Sequence, residues 1–308
     1  MTDLRRALED YLSTREALGY QIGEPGHLLG QFLDHLETSG HDTVTTEAAV
    51  AWATQPHTAI SAWQARRFGL VRGFAIYLHT IDPDSEIPVA GLVTGRNRRA
   101  VPYLYSDAEI AALMAAASQL LSPVRAATYQ TLVGLLSVTG LRIGEALALD
   151  RGDVDIAQGQ LTVRRGKFGK SRQIPLHATT VNALEEYTQT RDRLLPDPVS
   201  PAFFVSTTGT RLFYSSFHRS FSDLITRAGL QPRSASCRPR PHDLRHSFSV
   251  RTLLGWYRDD VDAAARLPLL STWLGHVNPA STYWYLSGSP ELFALVADRL
   301  EASLGELP

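Results

Sequence analysis

Residues 123–149 read PVRAATYQTLVGLLSVTGLRIGEALAL, and the fold turns on how that run is divided. Pro123 to Val138 is mostly apolar with a helical repeat, Thr139-Gly140 interrupts it, and Leu141 to Leu149 resumes it. A glycine just past the last periodic residue is a helix stop, because glycine enters the left-handed conformation without steric cost. The break therefore predicts two helices that meet at Gly140. Arg142 then falls in the opening turn of the second, otherwise apolar helix, three residues before Glu145 on the same face. A cation there opposes the helix dipole and is costly without an anionic partner. Two readings stay open on these residues alone: an internal Arg142–Glu145 pair, or an arginine aimed at a phosphate with Glu145 bracing it.

Downstream, Asp153 to Ile156, Gln160 to Arg165 and Arg172 to Leu176 alternate like strands, with Gln158-Gly159 and Gly166 to Gly169 as turns. This predicts a small antiparallel sheet whose second hairpin carries Lys167 at its tip. Helical spacing returns in 181–194, 215–228, 242–255 and 291–304. Upstream, Ser106-Asp107-Ala108-Glu109 has the pattern of a capping box. The first 80 or so residues read as short amphipathic helices, marked by Leu4, Leu8, Tyr11 and Leu12, by Leu28 to Leu36, and by Trp63 to Leu78. Between Pro83 and Pro102 lie prolines, glycines and Arg96, Arg98 and Arg99 with no helical period. The expected division is a helical domain over 1–90, a basic linker over 91–104 and a mixed domain over 105–308. The fold class is mainly α with a small antiparallel β-sheet.

Composition bounds the class. Of 308 residues, 44% are hydrophobic and 20% charged, which excludes disordered and collagen-like chains. The single cysteine, Cys237, cannot form an intramolecular disulfide, and the amino terminus has no apolar signal core. No apolar run approaches the roughly 20 residues that span a bilayer, so the expected location is the cytoplasm and no membrane partner is expected. The net charge of −1 conceals three basic clusters: Arg96, Arg98 and Arg99; Arg164, Arg165, Lys167, Lys170 and Arg172; and Arg233, Arg238, Arg240 and Arg245. Each is either an ordinary solvated surface or a phosphate-facing one.

Two further segments carry chemistry. In Pro241-His242-Asp243-Leu244-Arg245-His246-Ser247-Phe248, Asp243 suits a helix amino end, and His242 and Arg245 bring an imidazole and a guanidinium to one face. The other is Trp273-Leu274-Gly275-His276, followed by Ser281-Thr282-Tyr283-Trp284-Tyr285. Taken singly, the first is also a capped surface helix, His276 a capping residue and the tyrosines packing groups. Jointly, Arg142, Lys167, His242, Arg245, His276 and Tyr285, in that order and spacing, resemble the active-site set of the tyrosine recombinase (phage integrase) family. The Trp-Tyr-Leu after the histidine and the following Ser-Pro-Glu-Leu most resemble recombinases of transposons and integrative elements.

The resemblance covers the second domain and implies a core-binding domain and a catalytic domain that clamp double-stranded DNA between them. Four protomers would assemble on two duplexes, with companion recombinases as further partners, and the 291–304 helix would dock on its own protomer or a neighbour. Arg96, Arg98 and Arg99 would neutralise phosphates where the linker crosses the duplex. Arg164, Arg165, Lys170, Arg172 and Arg240 are the other candidate DNA-facing cations.

A tyrosine phenol has a pKa near 10, so it attacks at neutral pH only if its proton is removed and the developing phosphorane charge is stabilised. Arg142 and Arg245 would fork onto the non-bridging oxygens of the scissile phosphate, and His276 would donate a further hydrogen bond. His242 is the candidate proton acceptor from Tyr285. By the resemblance, Lys167 protonates the departing 5′ oxygen, and Lys170 competes for that role. Tyr283 and the more remote Tyr257 compete with Tyr285, which alone has the family's nine-residue interval from His276. One phosphodiester becomes another, so no cofactor and no metal are chemically required. A type IB topoisomerase that swivels DNA and a catalytically idle DNA-binding accessory protein are the alternatives.

Overall fold

The structure, a computed structural model, describes residues 3–20, 22–55, 59–95, 101–164, 171–196, 199–259, 261–276 and 282. Two compact units divide the chain into 1–99 and 100–308. The segment 91–104, expected as a linker, is absorbed at both ends. Val93 packs on the core of the first unit, and Tyr103 is buried in that of the second. Apolar side chains there outweigh the proline and glycine around them. Arg96, Arg98 and Arg99 lie outside the described residues.

The first unit contains α1 (Leu4–Ala17), α2 (Gly23–Thr38), α3 (Thr46–Ala53) and α4 (Ser61–His79). Asp3 caps α1 and Thr45 caps α3 by accepting from backbone amides two or three residues on. Phe32, Leu36, Val71, Phe74 and Leu78 have no exposed surface and form the centre of its core. Helix α3 has no counterpart in the sequence reading. It is eight residues of Thr, Glu, Val, Ala and one Trp, too short for its period to register.

The second unit runs α5 (Asp107–Ser118), α6 (Pro123–Thr139), α7 (Ile143–Ala148), β1 (Val154–Asp155), β2 (Gln160–Val163), β3 (Arg172–Pro175), α8 (Ala178–Leu194), α9 (Tyr214–Arg227), α10 (Pro241–Arg258) and α11 (Ala263–Leu274). The capping box forms: Ser106 Oγ accepts from the Glu109 amide at 3.2 Å, and the Ser106 amide donates to Glu109 Oε2 at 2.7 Å. Helix α6 is the axis on which α5, α8 and α10 pack. The strands form an antiparallel sheet in the order β1-β2-β3, with Leu161 opposite Ile174 and both fully buried. Strand β1 is shorter than expected because 151–153 winds into a 3₁₀ turn whose ends are held by Asp150 and Asp153. Helix α11 contains Pro268, which breaks the periodic signal in the sequence. It shares a second core with α10, built on Val250, Leu253, Leu267, Leu270 and Leu274, against which Tyr257 packs. No helix among the described residues is long and apolar enough to cross a membrane.

Candidate active site

The site forms where α6, α10 and α11 bring chain turns together. Helix α6 ends at Gly140, whose φ of +63° lets the chain reverse without strain. A methyl group there would lie 2.4 Å from Phe248 Cδ1, so glycine is required by contact as well as by conformation. The chain then reaches Arg142, which caps α7 with extended backbone (φ −69°, ψ 141°). It is therefore ahead of the helix rather than inside its opening turn, and the conflict with the helix dipole expected from the sequence is offset by its pairing with Glu145. Glu145 occupies the third helical position, where a carboxylate favours the positive helix end.

Helix α11 ends the same way, at Gly275 with φ +65°. Trp273 Nε1 donates to the Thr139 carbonyl at 2.8 Å and so ties the end of α11 to the end of α6. Arg245, on the first turns of α10 and 1% exposed, reaches between them. Its Nη1 donates to Gly140 O at 2.7 Å and its Nη2 to Leu274 O at 2.6 Å. Arg142 Nη2 donates to Gly275 O at 3.3 Å. Backbone carbonyl oxygens thus hold guanidinium donors at the place where the sequence reading puts phosphate oxygens.

His276 lies 2.9 Å through Nε2 from Arg245 Nη2. Arginine only donates, so Nε2 accepts, the ring proton rests on Nδ1, and it is donated to Thr282 Oγ1 at 2.8 Å. Loss of water, then the charges of Arg245, Arg142 and Arg172, push the His276 pKa down to about 4. His242, the second residue of α10, is exposed. Desolvation, then the charges of Arg245, Arg142 and Arg240, bring its pKa down to about 4 as well. Both imidazoles are neutral at pH 7, and His242 is able to accept a proton.

The Arg142–Glu145 ion pair is present, with Nη1 donating to Oε1 at 2.8 Å and the Arg142 amide donating to Oε2 at 3.1 Å. The sequence reading missed its third member. Arg172, expected among DNA-facing cations, is turned inward and forks onto Glu145. Its only sequence signal is its position closing the hairpin opposite Val163. Burial pushes the Glu145 carboxyl up, but hydrogen bonds from Arg172 and then Arg142, with their charges, outweigh it and hold its pKa below the usual carboxylate range. Two more of the expected DNA-facing cations are engaged by acids: Arg164 with Asp153, and Arg240 with the fully buried Asp243. Thr282 is a further contact that sequence reasoning passed over, although it lies only six residues after His276. Lys167, Lys170, Arg165, Tyr283, Tyr285 and the 291–304 segment lie outside the described residues.

The phage integrase family profile matches residues 104–291. The integrase/recombinase-like protein y4rB of Sinorhizobium fredii is 42% identical over 98% of this chain and 98% of its own. The tyrosine recombinase XerC of Alcanivorax borkumensis is 27% identical over 91% of this chain and 85% of its own. Among solved structures, the Tn1549 transposon integrase in complex with circular intermediate DNA superposes with a TM-score of 0.63 at 17% identity, covering 96% of this chain and 99% of that one. The XerA recombinase gives a TM-score of 0.52 at 23% identity, with 99% and 100% covered. These two likenesses establish the fold. A profile that spans more than half of the chain, together with a relative similar along nearly its whole length, establishes more: the chain belongs to the phage integrase family of tyrosine recombinases.

Proposed function

We propose that this chain is a site-specific DNA recombinase that cleaves and rejoins DNA through a 3′-phosphotyrosyl intermediate, with Arg142 and Arg245 as the phosphate-binding pair and His276 as a further donor once phosphate replaces its Nε2 at Arg245 and the ring proton moves to Nε2. The observation that carries the reading is the cluster of guanidinium donors resting on the carbonyl oxygens of Gly140, Leu274 and Gly275 beside two neutral imidazoles. A scissile phosphate entering there meets guanidinium groups that those carbonyls hold in place, and preorganised donors face the extra charge of the transition state. The phenolic oxygen of Tyr285 attacks phosphorus and its proton passes to His242. The bond from phosphorus to the 5′ oxygen breaks, and that oxygen takes a proton from Lys167. The product is a 3′ phosphotyrosyl bond and a free 5′ hydroxyl. One phosphodiester replaces another, so the chemistry itself calls for neither nucleotide nor metal. Family membership and full-length relatives named for integration and recombination favour this over the swivelling and idle readings.

In this reading residues 1–90 form the core-binding domain, Arg96, Arg98 and Arg99 neutralise DNA phosphates, and the protein works in the cytoplasm. Four protomers assemble on paired sites through the 291–304 segment, with companion recombinases where the element encodes them. The test is a nicked suicide duplex taken from the ends of the DNA element that carries the gene. The wild type forms a covalent adduct in the presence of EDTA, and Tyr285→Phe binds the duplex without forming one. Adduct formation by Tyr285→Phe, with loss in Tyr283→Phe, would move the nucleophile by two residues.

A further inference from the structure

Arg172 opens β3 and pairs across the sheet with Val163, which fixes its backbone at the base of the hairpin. Its side chain leaves the sheet and is only 13% exposed. All three of its nitrogens donate: Nε to Trp273 O at 2.7 Å, Nη1 to Glu145 Oε1 at 3.1 Å and Nη2 to Glu145 Oε2 at 2.8 Å. The guanidinium lies so close to the turn before His276 that a methyl group on Gly275 would come within 2.8 Å of Nη1 and 3.0 Å of Cζ. Glu145 accepts from Arg142 at its other flank, and Arg142 returns to the same turn through Gly275 O. The contacts close a ring: β3, Glu145, Arg142, the Trp273–Gly275 turn, and back to Arg172.

The charges in this ring are unequal in an informative way. Glu145 beside Arg142 alone would cancel the charge of that guanidinium. With Arg172 sharing the carboxylate, one positive charge is left over in the group, whose more exposed guanidinium is Arg142, at 23% against 13%. A planar fork is needed for this, because an ammonium group cannot reach both carboxylate oxygens and a carbonyl from one position.

We propose that Arg172 is a positioning residue of the cleavage reaction: by sharing Glu145 and holding the Trp273 carbonyl, it aims Arg142, keeps the group net positive and sets the turn that carries His276. The proposal rests on the phosphate-binding reading above. Its test uses the full chain and the same suicide duplex, with either a normal phosphate or a neutral methylphosphonate at the scissile position, under single-turnover conditions. Arg172→Gln should bind DNA within about threefold of wild type and cleave the normal phosphate on the order of 100-fold more slowly. Arg172→Lys should recover no more than about tenfold of that loss. On methylphosphonate, where one non-bridging charge is gone, the loss should shrink at least about tenfold, because less positive charge is required. A purely structural residue would cost the same on both substrates. Equal losses on the two substrates, or cleavage by Arg172→Gln within about threefold of wild type, overturn the proposal. If Arg172→Gln does not fold, Arg172→Lys keeps the charge and loses only the fork; it should bind DNA within about threefold of wild type and cleave the normal phosphate at least about tenfold more slowly, and cleavage within about threefold of wild type overturns the proposal. Failure of the wild type to form any adduct overturns the phosphate-binding reading itself, and is seen before any variant is made.

Discussion

Two arginine–carboxylate forks in this chain have similar bond lengths and different surroundings. In the first unit Arg5 donates from Nε and Nη2 to both oxygens of Glu37 at 2.9 and 2.8 Å, and to Asp34 at 2.7 Å, with side chains 50–64% exposed. In the second unit Arg172 forks onto Glu145 at 3.1 and 2.8 Å, with side chains 13% and 6% exposed. By distance the surface fork is the better one. Water and salt screen it, however, and holding long exposed side chains in place costs entropy. The buried fork is shielded from both, so removing its carboxylate leaves two guanidinium charges that water does not solvate fully. Burial, more than bond length, decides which fork the protein depends on.

The comparison breaks most visibly at Glu145. Glu145→Ala leaves Arg142 and Arg172 facing each other without a carboxylate, and the expected loss of stability is about 3–5 kcal/mol, read from urea unfolding of the full chain. A loss no greater than that of an exposed substitution would mean that solvent reaches the ring of contacts.

A second expectation concerns pH. His242 and His276 have pKa values near 4 in the folded chain and about 6.5 when unfolded. Above pH 6.5 both states are neutral and the two histidines cost nothing. As pH falls from 6.5 toward 4 the unfolded chain takes up protons that the folded chain refuses, so stability declines over that window. The DNA-free protein should therefore melt several degrees lower at pH 5 than at pH 7, and part of that decline should vanish in a His242→Asn, His276→Asn double variant. An unchanged pH profile in the double variant would show that other groups account for it. The smallest effect belongs to the surface fork: Arg5→Ala should leave the unfolding midpoint unchanged within error at physiological salt, and a large shift would reverse the ranking of the two forks.

What could be read from the sequence was local. Gly140 as a helix stop, Ser106 and Glu109 as a capping box, and the β2–β3 hairpin each depend on residues a few positions apart, and each forms where expected. The Arg142–Glu145 pair was legible for the same reason. Arg172 was not, because its partners lie 27 and 101 residues away, and nothing in the run from Arg164 to Arg172 distinguishes an inward arginine from an outward one. The Thr282 contact depends on where the end of α11 places His276, and α11 itself was hidden by Pro268. The basic clusters misled in one respect: Arg164, Arg172 and Arg240 are each engaged by an acid, so a run of cations in sequence is not a run of cations facing outward.

The wide sequence spacing of the site has a consequence for the order in which the protein is made. Arg245 bonds across 105 residues to Gly140, Arg142 across 133 to Gly275, and Trp273 across 134 to Thr139. Such long loops close late, since their closure entropy is spent before any contact compensates it. Synthesis adds a second delay, because Gly140 and Arg142 leave the ribosome well before the turn at 273–276 that completes their surroundings. An unfolded chain thus holds every arginine and none of the arrangement, so the capacity to break DNA arises only with the completed catalytic unit.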